Sequence, residues 1–257
     1  MSSRAAALAW PSLQMVRGAC DEFVELRRER DIRGEVRIIA ACASIGRYSV
    51  LVLIHCRVRG RHKKGASASA RRSREFQKSQ HLIRLAQRFK QPIVVCVVDP
   101  PVSGKDATTR WYEPFESPKH LLSQWSLDVP VVLLMSASKV SCGIFGVWLP
   151  DKSLALTYTK FVLESGKQNR QRRCEVEAKR LVTSGILDGT IAAPADLTVP
   201  QMKLVQHRLR NALIQLLDEV AECSPKELMA RRQNKFQRVE TMVVNLRDNR
   251  KCGLAPR

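Results

Sequence analysis

Hydrophobic residues along this chain fall into short bursts of two kinds, continuous β-branched runs and runs in which apolar positions recur at helical spacing. Ile38 to Ala43 and Tyr48 to His55 are of the first kind, and Ser44-Ile45-Gly46-Arg47 between them predicts a hairpin. From Arg74 to Lys90 the residues Phe76, Ile83, Leu85, Ala86 and Phe89 recur as on a helix face, until Gln91-Pro92 breaks the pattern ahead of a buried strand, Ile93 to Val98. The cycle repeats with a helix around Lys119 to Ser126, a break at Val129-Pro130, a strand Val131 to Met135, a turn of small residues and an apolar run Ile144 to Leu149. Arg172 to Ser184 reads as a helix stopped by Gly185, and Ile186 to Ala192 as a last short strand. Beyond Pro194 the residues Leu204, Leu209, Leu213, Leu216, Leu217 and Val220 mark an amphipathic helix. Ser224-Pro225-Lys226-Glu227 opens another, with a serine cap, proline at the first position and an acid in the first turn. These two helices are expected to pack outward or against a partner. The alternation argues for an α/β fold with strands covered by helices. The chain divides into a disordered start (1–10), a core (11–194), a helical docking region (195–247) and a tail (248–257).

Composition narrows the picture. With 44% hydrophobic residues in 257, the chain can bury one sizeable core, and no run of eighteen apolar residues is long enough for a membrane helix. Eight scattered cysteines without a C-x-x-C pair point to a reducing compartment and no zinc site. The first twenty residues hold Arg4, Arg17 and an Ala5–Ala7 patch without an acid. That is compatible with an organelle transit peptide, although a plain disordered start in a cytoplasmic protein is the simpler reading. The formal net charge of +20 points to anionic partners. It concentrates where no acid lies between Glu35 and Glu75, as Arg57, Arg59, Arg61, Lys63, Lys64, Arg71, Arg72 and Arg74 crowd around Gly65 to Ala70, read here as a mobile basic loop. Nucleic acid is one candidate ligand for it and for Arg170 to Arg173. Aromatic residues are only 5% of the chain and none lies between Arg57 and Arg74, so the stacking platforms of a single-strand binder are missing from that stretch.

Taken in order, the segments resemble a known family. Asp21-Glu22-Phe23-Val24-Glu25-Leu26 is similar to its acidic-aromatic helix, and Arg37-Ile38-Ile39-Ala40 followed by Gly46-Arg47 to its first hairpin. His55 falls where the family ends a strand with histidine before a basic loop. Leu82 to Ile93 resembles its helix-to-strand passage, Asp99-Pro100-Pro101 its Asp-Thr-Pro turn, and Gly185-Ile186-Leu187-Asp188-Gly189 its late Gly-x-Ile-Asp segment. Leu228-Met229-Ala230-Arg231-Arg232 is a family-like ending. The family is the carboxyltransferase alpha subunit of multi-subunit acetyl-CoA carboxylase.

The resemblance implies a crotonase/ClpP-like spiral fold with C-terminal helices. It also implies transfer of carboxylate from carboxybiotin to acetyl-CoA, giving malonyl-CoA for fatty acid biosynthesis. No cofactor would be bound directly, since biotin rides on a separate biotin carboxyl carrier protein. A zinc-ribbon beta subunit would complete an alpha2-beta2 assembly. Such chemistry places transient negative charge on carbonyl oxygens, which backbone N–H groups stabilise from loops that glycine keeps open. The family's Gly-Gly-Ser-Gly-Gly loop at a helix mouth is matched here by Lys139-Val140-Ser141-Cys142-Gly143, and the Gly-Ala after its Asp-Thr-Pro turn by Val102-Ser103. The resemblance thus implies Ser141, Cys142 and Gly143 as backbone oxyanion candidates, Val102 and Ser103 as the second turn, and Arg57, Arg59, Arg61, Lys63 and Lys64 as the contact for CoA phosphates or an acidic carrier. Glycine replaced by bulk at Val102, Lys139, Val140 and Cys142 keeps a second expectation open, a catalytically degenerate assembly subunit.

Plainer readings stand beside these. His55 reads as a structural histidine, Asp99 as a turn starter, Cys142 as a small packing residue, and Arg231-Arg232 as a solvated helix face.

Overall fold

The computed structural model describes residues 11–26, 38–56, 66–98, 124–165, 172–194 and 199–248. The predicted hairpin forms as β2 (Ile38–Ile45) and β3 (Tyr48–Cys56), antiparallel and closed by two residues, since Ile45 pairs Tyr48. Gly46 holds φ +59 at the first turn position, a conformation that suits the strand twist and that a side chain resists.

From β3 the sheet continues in parallel through β4 (Ile93–Val98), β5 (Val131–Met135), β7 (Lys152–Leu156) and β10 (Gly189–Ile191). On its other side β1 (Glu22–Glu25) lies antiparallel on β2, giving seven strands among the described residues in the order β1-β2-β3-β4-β5-β7-β10. A second sheet of three strands runs β6 (Lys139–Ser141), β8 (Lys160–Ser165), β9 (Arg172–Glu177).

Strand periodicity divides the core in two. Leu51, Leu53, Ile93, Val95, Val97, Val131, Leu133 and Met135 face one way, where Val140, Phe161 and Val176 of the small sheet and Ile144, Phe145 and Trp148 close over them. Their neighbours Val50, Val52, Ile54, Val94, Cys96, Val132 and Leu134 face the other way. There α1 (Pro11–Gly18) brings Leu13, Met15 and Val16, and α5 (Val199–Val220) brings Val205, Leu209, Leu213, Leu216 and Leu217. Because both faces of the central strands are covered, they read in sequence as unbroken apolar runs.

The remaining helices among the described residues are α2 (Ala66–Arg88), the one-turn α3 (Ile144–Val147), α4 (Ala178–Thr183) and α6 (Pro225–Asp248). Two helix ends carry the same device. After α2, Gln91 N–H reaches Ala86 O and Lys90 N–H reaches Gln87 O, with Lys90 at φ 52. After α4, Ile186 N–H reaches Leu181 O and Gly185 N–H reaches Val182 O, with Gly185 at φ +68. The predicted cap of α6 closes reciprocally, as Ser224 N–H and Oγ meet Glu227 Oε2 at 2.7 Å while Glu227 N–H turns back to Ser224 Oγ.

Several expectations are corrected. Helix α2 starts at Ala66, so Ala66 to Arg74 are not a loop; alternate alanines, the strongest helix formers, outweigh the serines and charges there. Asp21 to Leu26 is not helical, because Glu22–Glu25 completes the free edge of β2. Arg172–Glu177 is a strand antiparallel to β8, and only Ala178–Thr183 is helical. Strand β6 occupies part of the expected small-residue turn, and Lys152–Leu156 and Lys160–Ser165 are strands to which the pattern assigned no element. Of the helix expected around Lys119 to Ser126, only Gln124 to Ser126 fall among the described residues, Gln124 and Trp125 being helical. Helix α5 packs inward rather than outward, with Leu204 left 49% exposed at the margin of its apolar stripe.

Candidate functional site

The parallel strands β3, β4 and β5 all end on one edge, at Cys56, Val98 and Met135, and the chain leaving β5 builds the candidate site there. Its first residues are pinned. Ser136 donates its N–H (2.9 Å) and its hydroxyl (3.2 Å) to Val97 O, Tyr158 donates its phenol to Ser136 O, and Lys160 N–H reaches Ser138 O. Three residues then pair with β8 as β6, in the register Lys139↔Lys160, Val140↔Phe161, Ser141↔Val162. Val140 points into the core, whereas the Lys139 ammonium lies outside and meets the Glu175 carboxylate, which Lys160 also approaches at 3.8 Å. The two lysines hold that carboxyl below the usual range, the Lys139 hydrogen bond contributing most.

Cys142 and Gly143 turn the chain into α3. Cys142 N–H extends the sheet by donating to Val162 O at 3.0 Å, and Gly143 N–H donates to Ser141 Oγ at 3.3 Å. Gly143 O accepts from Gly146 and Val147, so Gly143 is the N-cap of α3. Its angles, φ −58 and ψ −18, are open to any residue, so backbone strain does not call for glycine here. What glycine leaves is an exposed main chain that a ligand can approach closely. The three sequence-based oxyanion candidates, Ser141, Cys142 and Gly143, are therefore together in space, but the N–H groups of Cys142 and Gly143 each have an internal acceptor.

The Cys142 thiol is buried, and burial first, with Cys174 adding to it, pushes it up to about 12, so it is no thiolate nucleophile at neutral pH. His55, at the end of β3, is also buried, and its ring stands edge-on to Trp148 with centroids 5.3 Å apart, directly after α3. Strand end and loop are thus joined through an aromatic contact. Val102 and Ser103, the basic residues Arg57, Arg59, Arg61, Lys63 and Lys64, and Asp99 lie outside the described residues.

One cluster was misread from sequence. Arg232 is not on a solvated face but fully buried, donating to Leu127 O (2.6 Å), Gln124 O (3.2 Å), Val129 O (2.8 Å) and Asp151 Oδ2 (2.7 Å). The available signal was its spacing from Leu228 and Val239, which share that face. The cluster lies where β5 and β7 begin, at the opposite end of the strands from Met135. Among the described residues no group of three or more His, Cys, Asp or Glu is placed to hold a metal, and no helix is long and apolar enough to cross a membrane.

Comparison with known proteins adds a family to this geometry. The alpha subunit of acetyl-coenzyme A carboxylase carboxyl transferase from Methylococcus capsulatus is 25% identical over 231 residues, covering 84% of this chain and 71% of its own. The subunit of the same name from Exiguobacterium sibiricum is 23% identical over 250 residues, covering 90% and 78%. Among solved structures, the transcarboxylase 12S core superposes with a TM-score of 0.50 at 12% identity, spanning 81% of this chain and 40% of that one. That likeness concerns the fold, a crotonase-like α/β architecture extended by C-terminal helices. The model of the acetyl co-enzyme A carboxylase carboxyltransferase-like family matches residues 9–240, from just before α1 well into α6, and the chain belongs to that family.

Proposed function

We propose that this chain is an alpha-type component of a biotin-dependent carboxyltransferase that moves a carboxyl group from carboxybiotin to acetyl-CoA, yielding malonyl-CoA. The family match over residues 9–240 carries the reading, and the turn from Ser141 to the exposed Gly143, leading into α3, supports it. In this reading the Gly143 N–H, held by a long 3.3 Å bond to Ser141 Oγ, swings to the developing oxyanion while the Ser141 hydroxyl positions the biotin ring. Cys142 N–H stays in the sheet and holds the turn in place. Val102 and Ser103 supply the second turn, and Arg57, Arg59, Arg61, Lys63 and Lys64 engage CoA phosphates or the carrier. Biotin arrives on a separate carrier protein, and a zinc-ribbon beta-type subunit completes an alpha2-beta2 complex in the cytoplasm. The test is to purify the chain with such a subunit and assay decarboxylation of malonyl-CoA in the presence of biocytin. Turnover that requires both chains supports the proposal, and a stable complex without turnover sinks it.

A second reading, an assembly subunit of the same fold without turnover, draws on the internal acceptors that both turn N–H groups already have. Returning glycine at Val102, Lys139, Val140 and Cys142 separates the two. Unchanged inactivity while the beta-type subunit still co-purifies favours the assembly role. Val140 and Cys142 are core residues, so Lys139→Gly comes first in such a series.

A further inference from the structure

Helix α6 lies on the core through Leu228, Arg232, Lys235 and Val239, spaced as one face of a helix, and two of these four buried residues are cations. Lys235 meets Asp188 Oδ2 and Ser153 Oγ (3.1 Å), and the same Asp188 oxygen accepts the Ser153 N–H at 2.7 Å. Lys152 ties Asp188 onward to Glu219 of α5. Arg232 spreads its two terminal nitrogens over four acceptors, and its partner Asp151 also accepts the Val131 N–H at 2.7 Å. Apart from the helical Gln124, the groups that accept from Arg232 and Lys235 lie at the strand starts of the large sheet and in the segments leading into them.

We infer that the Arg232 guanidinium fork is the key that fixes the register of α6 on the sheet. The helix is rich in cations, and this creates a specific competitor. Advanced by three residues, α6 would present Arg231, Lys235, Arg238 and Met242 in place of Leu228, Arg232, Lys235 and Val239, so a cation would still face both Asp151 and Asp188. Charge alone therefore does not choose between the frames. Two features do. A lysine in the Arg232 position has one nitrogen for four acceptors set around a planar fork, leaving buried carbonyls without donors. The slot of Leu228, fully buried, would also receive Arg231. Registry is the best-attested use of buried polar groups, which otherwise contribute little net stability.

The register has a built-in reporter, because the Phe236 ring stands edge-on to Trp125 at 5.8 Å, and the advanced frame would put Val239 there instead. The full chain is labelled with 5-fluorotryptophan, and the Trp125 fluorine resonance is assigned by its loss in Trp125→Phe. Arg231→Leu/Arg232→Lys removes both discriminating features while keeping a cation opposite Asp151. The expected result is a second Trp125 resonance, with the minor frame rising from below about 1% to above about 10% of molecules, a gain of at least tenfold. Arg231→Leu alone should keep a single resonance at the wild-type position. A single unshifted resonance in the double variant overturns the inference, whatever its melting temperature. Should that variant fail to fold, Arg232→Lys alone is read in the same way, and one unshifted resonance there is equally contrary.

Discussion

Replacing Gly143 by alanine separates a folding role from a ligand-binding role at the one turn where the proposed chemistry has a described geometry. Gly143 is exposed and holds φ −58, so a Cβ meets no backbone strain. Alanine lowers the entropy of the unfolded chain, which stabilises by about 0.4–1 kcal/mol. It also takes the position from which the α3 carbonyl ladder starts, where alanine is poorer than glycine by roughly 0.5–1 kcal/mol. The two effects offset one another, so net stability should stay within about 0.5 kcal/mol of the starting protein. For a chain of this size that corresponds to a melting temperature within roughly 2 °C. Activity responds differently. If the Gly143 N–H meets the oxyanion, a methyl group at the approach removes most of that interaction, and loss of one such donor costs about a hundredfold or more in turnover. The assay is malonyl-CoA decarboxylation by the complex with its beta-type subunit, run beside thermal unfolding of the same preparation. Unchanged melting with turnover also unchanged would refute the placement of the ligand at this turn. A large fall in melting temperature would refute the geometric argument itself.

Further outcomes follow from the same contacts. Arg232→Ala leaves the Asp151 carboxylate buried and unpaired and should cost about 3–5 kcal/mol in denaturant unfolding; a loss below about 1 kcal/mol contradicts the pairing. Ser224→Ala removes one half of the reciprocal cap of α6 and should cost about 1 kcal/mol, whereas Ser224→Asp should cost little. Lys139→Gly breaks an exposed ion pair on a short edge strand, so its loss should be small and should shrink further in high salt. The Cys142 thiol, raised to about 12 when folded, stays protonated above the pH at which the unfolded chain releases that proton. Its contribution to stability is therefore complete below about pH 9 and is lost as the pH rises through the folded value. Cys142→Ala should flatten the decline of melting temperature on the alkaline side, and an identical pH profile would contradict the burial.

Much of the architecture was legible because the central strands are covered on both faces and announce themselves as continuous apolar runs, as at Ile93–Val98 and Val131–Met135. Turn and cap chemistry was equally readable at Gly46, Gly185 and Ser224, where the residue type has a local mechanism. Short edge elements were not. Arg172–Glu177 alternates charge with Cys174 and Val176, a pattern so brief that helical and extended readings compete until β8 is there to pair with it. The spacing of Arg232 from Leu228 and Val239 puts it on their face, but nothing in the sequence points to the four acceptors 81 to 108 residues away that converge on it. At the candidate site the sequence placed Ser141, Cys142 and Gly143 at a helix mouth. It did not reveal that one amide is drawn into a strand, because that bond depends on where β8 lies.

Helices α1 and α5 form one roof over the far face of the sheet. Gln206 Nε2 donates to Gln14 O across 192 positions, and Arg210 grips Asp21 through both carboxylate oxygens across 189. During synthesis at about 5–20 residues per second, α1 and the hairpin would leave the ribosome roughly 10–40 s before the helix that completes their cover. Through that interval Leu13, Met15 and the alternate residues of β2 and β3 lack the neighbours that bury them in the finished molecule. The nascent chain thus offers a sticky, half-built sheet for a period far longer than hairpin formation needs, and shielding by a holding chaperone would matter most early in translation.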